Sequence, residues 1–146
     1  MDSKRKLANL TTETRNQATL NIDTSSTTEI VTLITQEDQH VLRAVQEEIP
    51  RIVEAAELLT EVLKQGGRII YMGSGTSGRL GVLDAAELLP TFGVGEDQVK
   101  AIIAGGTKAM FIPVEHAEDD EEAGLEDFLG EDPSEQDALV AISASG

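Results

Sequence analysis

Residues 68–79 read Arg68-Ile69-Ile70-Tyr71-Met72-Gly73-Ser74-Gly75-Thr76-Ser77-Gly78-Arg79. The run begins with a short apolar segment, which is typical of a buried parallel strand, and continues into glycines and hydroxyl-bearing residues. We expect a strand at 68–72, a loop at 73–78, and a helix from about Arg79 to Leu89 that stops near Pro90. A strand that leads through a glycine loop into a helix is the repeating unit of parallel α/β folds.

Two further apolar segments continue this pattern toward the C-terminus. We expect strands at 99–104 and 138–142, and a helical region with a break over 107–130. The alternation predicts an α/β fold with a parallel sheet, right-handed crossovers and helices on both faces, which makes three αβα layers. Because three strands leave an open edge, we expect the sequence to be an incomplete form of this fold.

The N-terminal side is expected to be helical. Residues 1–26 are polar and are interpreted as an arm, and apolar residues at spacings of three and four predict a helix over 27–48. Pro50 should interrupt that helix and open a second one, which ends at Gly66-Gly67. We divide the chain into an N-terminal arm and helix, residues 1–48, and an α/β domain, residues 49–146.

The composition of the chain argues against several classes of binding partner. The chain has 146 residues, no cysteine and a net charge of −16, so we expect it to bind neither nucleic acid nor anionic membrane. The absence of cysteine excludes disulfides and thiolate metal sites and suits a cytoplasmic protein. Residues 4–6 are basic, but no apolar run follows them, and no segment reaches the roughly 18 apolar residues of a membrane span.

An acidic region extends from Glu115 to Asp137. It holds twelve acidic residues and no Lys or Arg. Its spacing does not match that of a calcium-binding EF-hand loop. We interpret most of this region as a solvated acidic surface and expect no bound metal.

The pattern Gly73-x-Gly75-x-x-Gly78 follows a strand and opens a helix, as the dinucleotide-binding fingerprint does. A dinucleotide site also needs an acidic residue at the end of the second strand, and residues 103–107 contain none. A nucleotide phosphate loop would need a lysine directly after the loop, and Arg79 stands there instead. A dinucleotide or nucleotide ligand is therefore disfavoured.

Hydroxyl groups beside glycines at a helix N-terminus suit a compact phosphate group, because backbone N–H groups and the helix dipole both favour an anion. The loop after the third strand is similar and should lie at the same edge of the sheet. The alternative is a tight turn with capping hydroxyls. The candidate phosphate- and sugar-binding residues are Ser74, Gly75, Thr76, Ser77, Gly78, Arg79, Ser143 and Ser145.

The run from Gly73 to Glu87 closely resembles the N-acetylmuramic acid 6-phosphate etherases, which have the sugar isomerase (SIS) fold. Four other segments resemble the same family, at 10–16, 21–23, 102–106 and 114–119. The resemblance implies that residues 49–146 are part of a SIS sugar-phosphate-binding domain. It also implies a homodimer with its site near the subunit interface, and neither metal nor organic cofactor.

The implied reaction converts N-acetylmuramic acid 6-phosphate and water to N-acetylglucosamine 6-phosphate and D-lactate, in cell-wall amino sugar catabolism. The chain departs from the family at Ala86, where the family has Ser, and at Leu88-Leu89, where it has Cys-Pro. It is also considerably shorter than family members, and the match stops at Gly146. We therefore expect a truncated form with little activity of its own.

Cleavage of the lactyl ether removes a proton from carbon and gives one to the departing lactate oxygen, and two carboxyl groups can divide these roles. The resemblance maps this pair onto Glu87 and Glu118. We expect Glu87 near the apolar face of its helix, where the protonated form is favoured, and assign it as proton donor. The sequence leaves open which Glu removes the carbon-bound proton. His116 is an alternative base, although a solvated loop histidine is the preferred interpretation.

Two rival functions remain from the sequence. A sugar-phosphate-binding regulator of the SIS family could use the same loops without chemistry, but it would not need both Glu87 and Glu118. A truncated product that folds poorly would show no cooperative thermal melt.

Overall fold

The computed structural model describes residues 14–144 of the chain. The chain forms two compact units, whose described parts are residues 14–55 and 56–144. The boundary predicted between residues 48 and 49 stays a prediction.

One long helix, α1, spans Thr27–Lys64 and follows two short 3-10 turns at Gln17–Thr19 and Ile22–Thr24. Its start is fixed by a capping box, because the Glu29 carboxylate accepts hydrogen bonds from the Ser26 amide and hydroxyl, each at 2.7 Å. These bonds hold the pKa of Glu29 below its ordinary value. None of the helices between residues 14 and 144 is both long and apolar enough to cross a bilayer.

The predicted break at Pro50 is wrong, because α1 continues through this residue. A proline inside a helix removes one N–H donor and costs about 3 kcal/mol, but the hydrogen bonds on either side can persist. The apolar 3-and-4 spacing on both sides of Pro50 follows one uninterrupted helix rather than two.

The three predicted strands are confirmed, and they form a parallel sheet. The elements are β1 at Ile69–Gly73, β2 at Val99–Ile103 and β3 at Ala138–Ile142, with helix α2 at Gly75–Phe92 and helix α3 at Glu121–Gly130. Between β2 and α3 lie two 3-10 turns, Thr107–Met110 and Ala117–Asp119. The region predicted as a broken helix is therefore two short turns followed by α3.

Helix α2 begins and ends outside its predicted bounds. It starts at Gly75 rather than at Arg79, so most of the predicted glycine loop is the first helical turn. It also passes Pro90, which lacks the N–H that would bond to the carbonyl four residues earlier. The helix ends where Gly93 adopts a left-handed conformation and donates its N–H to the carbonyl of Leu89 at 2.9 Å.

The strand order is β2-β1-β3, so β1 is the central strand. Helices α2 and α3 lie on opposite faces of the sheet. A side chain added at Gly81 of α2 would lie 3.0 Å from Tyr71, and one at Gly124 of α3 would lie 3.4 Å from Met72. Because Tyr71 and Met72 are neighbours on β1, they point to opposite faces. The expected α/β fold with three αβα layers is confirmed.

The core lies around β1 and β2. Ile70 is completely buried, and the other buried apolar residues include Ile69, Val99, Ile102 and Ile103. The outer strand β3 is less covered, with Leu139 48% exposed. The predicted open edge is confirmed by the strand order, because the outer sides of β2 and β3 have no neighbouring strand among the described residues.

Gly78 lets α2 approach the end of β1, and we expect its replacement by alanine to be costly. An added Cβ would lie 2.4 Å from the carbonyl oxygen of Gly73 and 2.7 Å from the Ile103 side chain. We expect Gly78→Ala to lower the free energy of unfolding by about 3 kcal/mol, the upper part of the range for overpacking. Urea denaturation of the two chains measures the difference.

Gly130→Ala is the matched control, because Gly130 ends α3 and a Cβ there would meet nothing within 4 Å. Its free energy of unfolding should stay level or rise slightly, since alanine favours helix over glycine. A Gly78→Ala chain as stable as the wild type would contradict the close-approach argument.

Candidate functional site

The carboxyl end of the sheet carries the candidate site. Because β1 lies between β2 and β3, the chain reverses direction across the sheet at β1, and ligands of open α/β sheets bind at such a point. Ser74 follows β1, and Ser143 follows β3, which pairs directly with β1. The other predicted serine of this loop, Ser145, lies outside the described residues.

The first turn of α2 presents backbone donors at this edge. Ser74 is the N-cap, in extended conformation, and its side chain makes no capping hydrogen bond. The N–H groups of Gly75, Thr76 and Ser77 are among those that have no acceptor within an α-helix. The N–H of Gly78 instead donates to the carbonyl of Ser74 at 3.1 Å. The amide of Gly78 is therefore not available to a ligand. An anion at this position could accept hydrogen bonds from the amides of the three residues before it.

A cavity of about 120 Å³ adjoins this turn. Ser74, Gly75 and Arg79 line one side, and Pro113, Val114, Ala117 and Glu118 line the other. The structure thus brings the predicted carboxylate Glu118 together with three of the predicted binding residues. Glu118 also lines a larger, mostly apolar groove of about 480 Å³ between α3 and β3.

Arg79 is held by backbone carbonyls. Its Nη2 donates to the carbonyl of Ala109 at 2.6 Å, and its Nε donates to that of Met110 at 3.1 Å. Two of its donor groups are therefore already used within the chain. That Arg79 binds phosphate stays a prediction.

Glu87 lines a different groove, of about 410 Å³, on the face of the sheet that α2 covers. Its side chain is exposed, and Leu80 and Leu83 on the apolar face of α2 line the same groove. These two leucines are themselves 54% and 56% exposed, and nothing in the described chain covers them. That Glu87 donates a proton stays a prediction.

The same groove contains two polar residues that the sequence did not indicate, Tyr71 and Asp84. Burial raises the pKa of Tyr71 to about 12, and the hydrogen bond with Asp84 and the negative charge of Asp84 add to this effect. Asp84 lies three residues before Glu87, which places both carboxylates on one side of α2. The three-residue spacing from Glu87 could have indicated Asp84 from the sequence alone, whereas the contact of Asp84 with Tyr71 depends on the fold.

The Tyr71 hydroxyl should titrate late. Tyr71 is the single tyrosine and the chain has no tryptophan, so absorbance at 295 nm reports it alone. We expect a midpoint near pH 12 in the folded chain and near 10 in urea. A raised pKa stabilises the fold below about pH 10, and this contribution is lost as the pH rises through about 12.

Asp84→Asn should move this titration toward lower pH, because it removes the negative charge that opposes phenolate formation. If Tyr71 in the folded wild-type chain titrated with a midpoint near pH 10, its hydroxyl would be neither buried nor close to Asp84.

The remaining candidates lie in the acidic region. His116 is exposed, has a left-handed backbone (φ 66°) and precedes the turn at Ala117–Asp119, which agrees with a loop histidine. Within residues 14–144, no three or more His, Cys, Asp or Glu side chains are grouped to hold a metal ion. Asp137 departs from the solvated acidic surface, because its side chain is only 5% exposed and pairs with Arg68.

Comparison with known proteins gives two findings. Residues 51–146 match the family model of the glucokinase regulatory protein N-terminal SIS domain. The chain is 50% identical, over 96% of its length, to an N-acetylmuramic acid 6-phosphate etherase of Clostridium beijerinckii. It is 50% identical over 99% of its length to that of Glaesserella parasuis. With etherase 1 of Enterococcus faecalis it shares 49% identity over its whole length.

These alignments cover 46%, 48% and 49% of the respective relatives. The chain spans about half the length of the curated relatives it matches.

Proposed function

Because this chain belongs to the SIS domain family, in the group of the glucokinase regulatory protein N-terminal SIS domain, we propose that it carries the sugar-phosphate site of an N-acetylmuramic acid 6-phosphate etherase. The observation that carries the proposal is the identity of about 50% with proteins of that name over nearly the whole chain. The reaction releases D-lactate and leaves N-acetylglucosamine 6-phosphate.

The phosphate group binds at the start of α2. The amides of Gly75, Thr76 and Ser77 point out of the helix, and the dipole favours an anion there. The Ser74 hydroxyl, which makes no capping hydrogen bond, adds a donor. We also assign Ser143 and Ser145, which follow β3 in the sequence, to this site. A local cluster of donors is necessary, because the net charge of −16 repels a phosphate at long range.

Two proton transfers accompany the cleavage of the ether. A carboxylate removes the proton from the carbon next to the sugar aldehyde, and a carboxyl group protonates the lactate oxygen as its bond to the sugar breaks. Water then adds to the unsaturated sugar, so that the product regains a hydroxyl group. We assign Glu87 as the proton donor and Glu118 as the second carboxyl group. No metal or organic cofactor takes part.

We place this protein in the cytoplasm as a homodimer. The apolar side chains that α1 exposes support self-association, because an uncovered stripe of this length is unusual on a monomer. The stripe consists of Val31, Ile34, Val41, Leu42, Val45, Ile49, Ile52 and Val53.

The decisive experiment measures D-lactate released from N-acetylmuramic acid 6-phosphate. It compares the 146-residue chain alone with a completed protein, in which the second half of the Clostridium beijerinckii relative is co-expressed with this chain. We expect little release by the chain alone and clear release by the completed protein. A completed protein that binds the sugar phosphate but releases no lactate would contradict the etherase proposal.

That contrary result would favour the second candidate, a sugar-phosphate-binding regulator without catalysis. One observation supports this candidate, namely that the matching family model is named for a regulatory protein. The presence of both Glu87 and Glu118 supports the enzyme instead.

A further inference from the structure

Arg79 makes a connection that phosphate binding does not explain. The side chain leaves the first turn of α2 and reaches the turn at Thr107–Met110, where it donates to two neutral carbonyl oxygens, at 2.6 and 3.1 Å. The guanidinium is partly buried, and in the described part of the chain it forms no ion pair with a carboxylate. Its planar fork therefore joins two elements that lie about thirty residues apart.

The turn that Arg79 holds lies shortly before Glu118 in the sequence. Ala109 within it is buried, with 4% of its surface exposed. Farther along, Val114 packs against Gly105, where an added Cβ would lie 2.9 Å from the valine Cβ. The segment then closes the 120 Å³ cavity opposite Ser74 and Gly75 with Glu118 in its wall.

We propose that Arg79 is a positioning residue. By binding the carbonyls of Ala109 and Met110, it fixes residues 107–118 against the start of α2 and so places Glu118 beside Ser74. The importance of Glu118 to the reaction rests on the proposed function, but the positioning itself rests on the hydrogen bonds and the shared cavity.

Lysine and alanine substitutions separate positioning from direct phosphate binding. Lysine keeps the positive charge, which suffices to attract a phosphate, but its single ammonium cannot reproduce the planar fork that binds two carbonyls. A positioning role therefore predicts that Arg79→Lys behaves like Arg79→Ala. A direct phosphate ligand predicts that Arg79→Lys behaves more like the wild type.

The first measurement is amide hydrogen exchange in the ligand-free 146-residue chain. We expect both variants to exchange about tenfold or more faster at residues 107–118, because hydrogen bonds to a charged group are lost. Amides of β1 should change little. The control is Arg51→Ala, which removes an arginine of the same charge whose side chain is 79% exposed.

Chemical rescue makes the test specific to the guanidinium. Millimolar guanidinium ion added to the Arg79→Ala chain should restore protection at residues 107–118, since it can occupy the vacated space. A chain that is merely destabilised would not regain protection in this way. Guanidinium should have no effect on the exchange of the Arg51→Ala control.

Binding of N-acetylglucosamine 6-phosphate is the second measurement. We expect both Arg79 variants to lose affinity by similar factors, and guanidinium to recover the affinity of Arg79→Ala along with its protection. Unchanged exchange at 107–118 in both variants would overturn the proposal, as would an affinity that Arg79→Lys retains and Arg79→Ala loses. A wild-type chain that binds no sugar phosphate would count against the proposed function, and the exchange result would still decide the positioning role.

Discussion

Glu87→Gln should lower lactate release by the completed protein about 1,000-fold, within the range for loss of a general acid. Glutamine keeps the size of the side chain but has no carboxyl proton to give to the departing lactate oxygen. The affinity for N-acetylglucosamine 6-phosphate should change little, because this product lacks the lactyl ether oxygen that Glu87 protonates and Glu87 does not line the cavity proposed for the phosphate.

Turnover is measured with a coupled D-lactate assay, and binding is measured by calorimetry on the same preparation. Glu96→Gln provides the matched control, because Glu96 is an exposed residue between α2 and β2. It should retain full activity. Turnover by Glu87→Gln at a rate near the wild type would remove Glu87 from the mechanism, whereas loss of turnover together with binding would indicate a folding defect.

Asp137→Asn should lower the free energy of unfolding by about 2 kcal/mol, since it removes the charge from a partly buried, hydrogen-bonded ion pair. The Asp137 carboxylate accepts hydrogen bonds from Arg68 Nη2 and from the Arg68 amide, each at 2.7 Å, and from the Ser134 amide at 2.9 Å. Arg68 also donates to the carbonyls of Glu131 and Asp132, at 3.0 and 2.8 Å. We call this cluster of hydrogen bonds the Arg68–Asp137 clasp.

Asp97→Asn provides the comparison by urea denaturation. Asp97 pairs with Lys100 at 3.3 Å, but its side chain is 98% exposed. Its removal should cost less than about 0.5 kcal/mol, as expected for a surface pair. Equal costs at positions 97 and 137 would contradict the importance of burial in the clasp.

The clasp also predicts a pH dependence. Hydrogen bonds from Arg68, and then from the Ser134 amide, hold the pKa of Asp137 far below its ordinary value. A depressed pKa contributes stability above the unfolded value of about 3.9, and the contribution is lost as the pH falls below it. The stability difference between wild type and Asp137→Asn should therefore shrink from pH 6 to pH 2.

Local sequence patterns predicted the strands well. The apolar runs that became β1, β2 and β3 are short and bounded by glycine or polar residues, so they need no knowledge of partners. The start of α2 was placed four residues too late, because Ser77 and the glycines before Arg79 are poor helix formers in isolation. Their helical conformation is stabilised by packing against the end of β1, where Gly78 permits a close approach.

Local sequence patterns could not predict contacts between residues that are far apart in the sequence. Asp137 belonged to a run that indicated a solvated surface, and only the fold brings Arg68 beside it, 69 positions away in sequence. The same limit applies to Arg79, whose residue type suited phosphate binding but whose contacts are carbonyls of a distant turn. Sequence motifs thus indicated the residues of the candidate site, but the contacts of these residues could be seen only in the folded structure.

The Arg68–Asp137 clasp has a consequence for how the chain folds. During synthesis Arg68 and β1 are made first, and the carboxylate that completes the clasp follows 69 residues later. Until then β1 can pair only with β2, and one of its edges has no neighbour. Closing so long a loop slows folding, because chain entropy is lost before the contact forms. The central strand of the sheet therefore has both of its sides paired only after Ala138–Ile142 has been made.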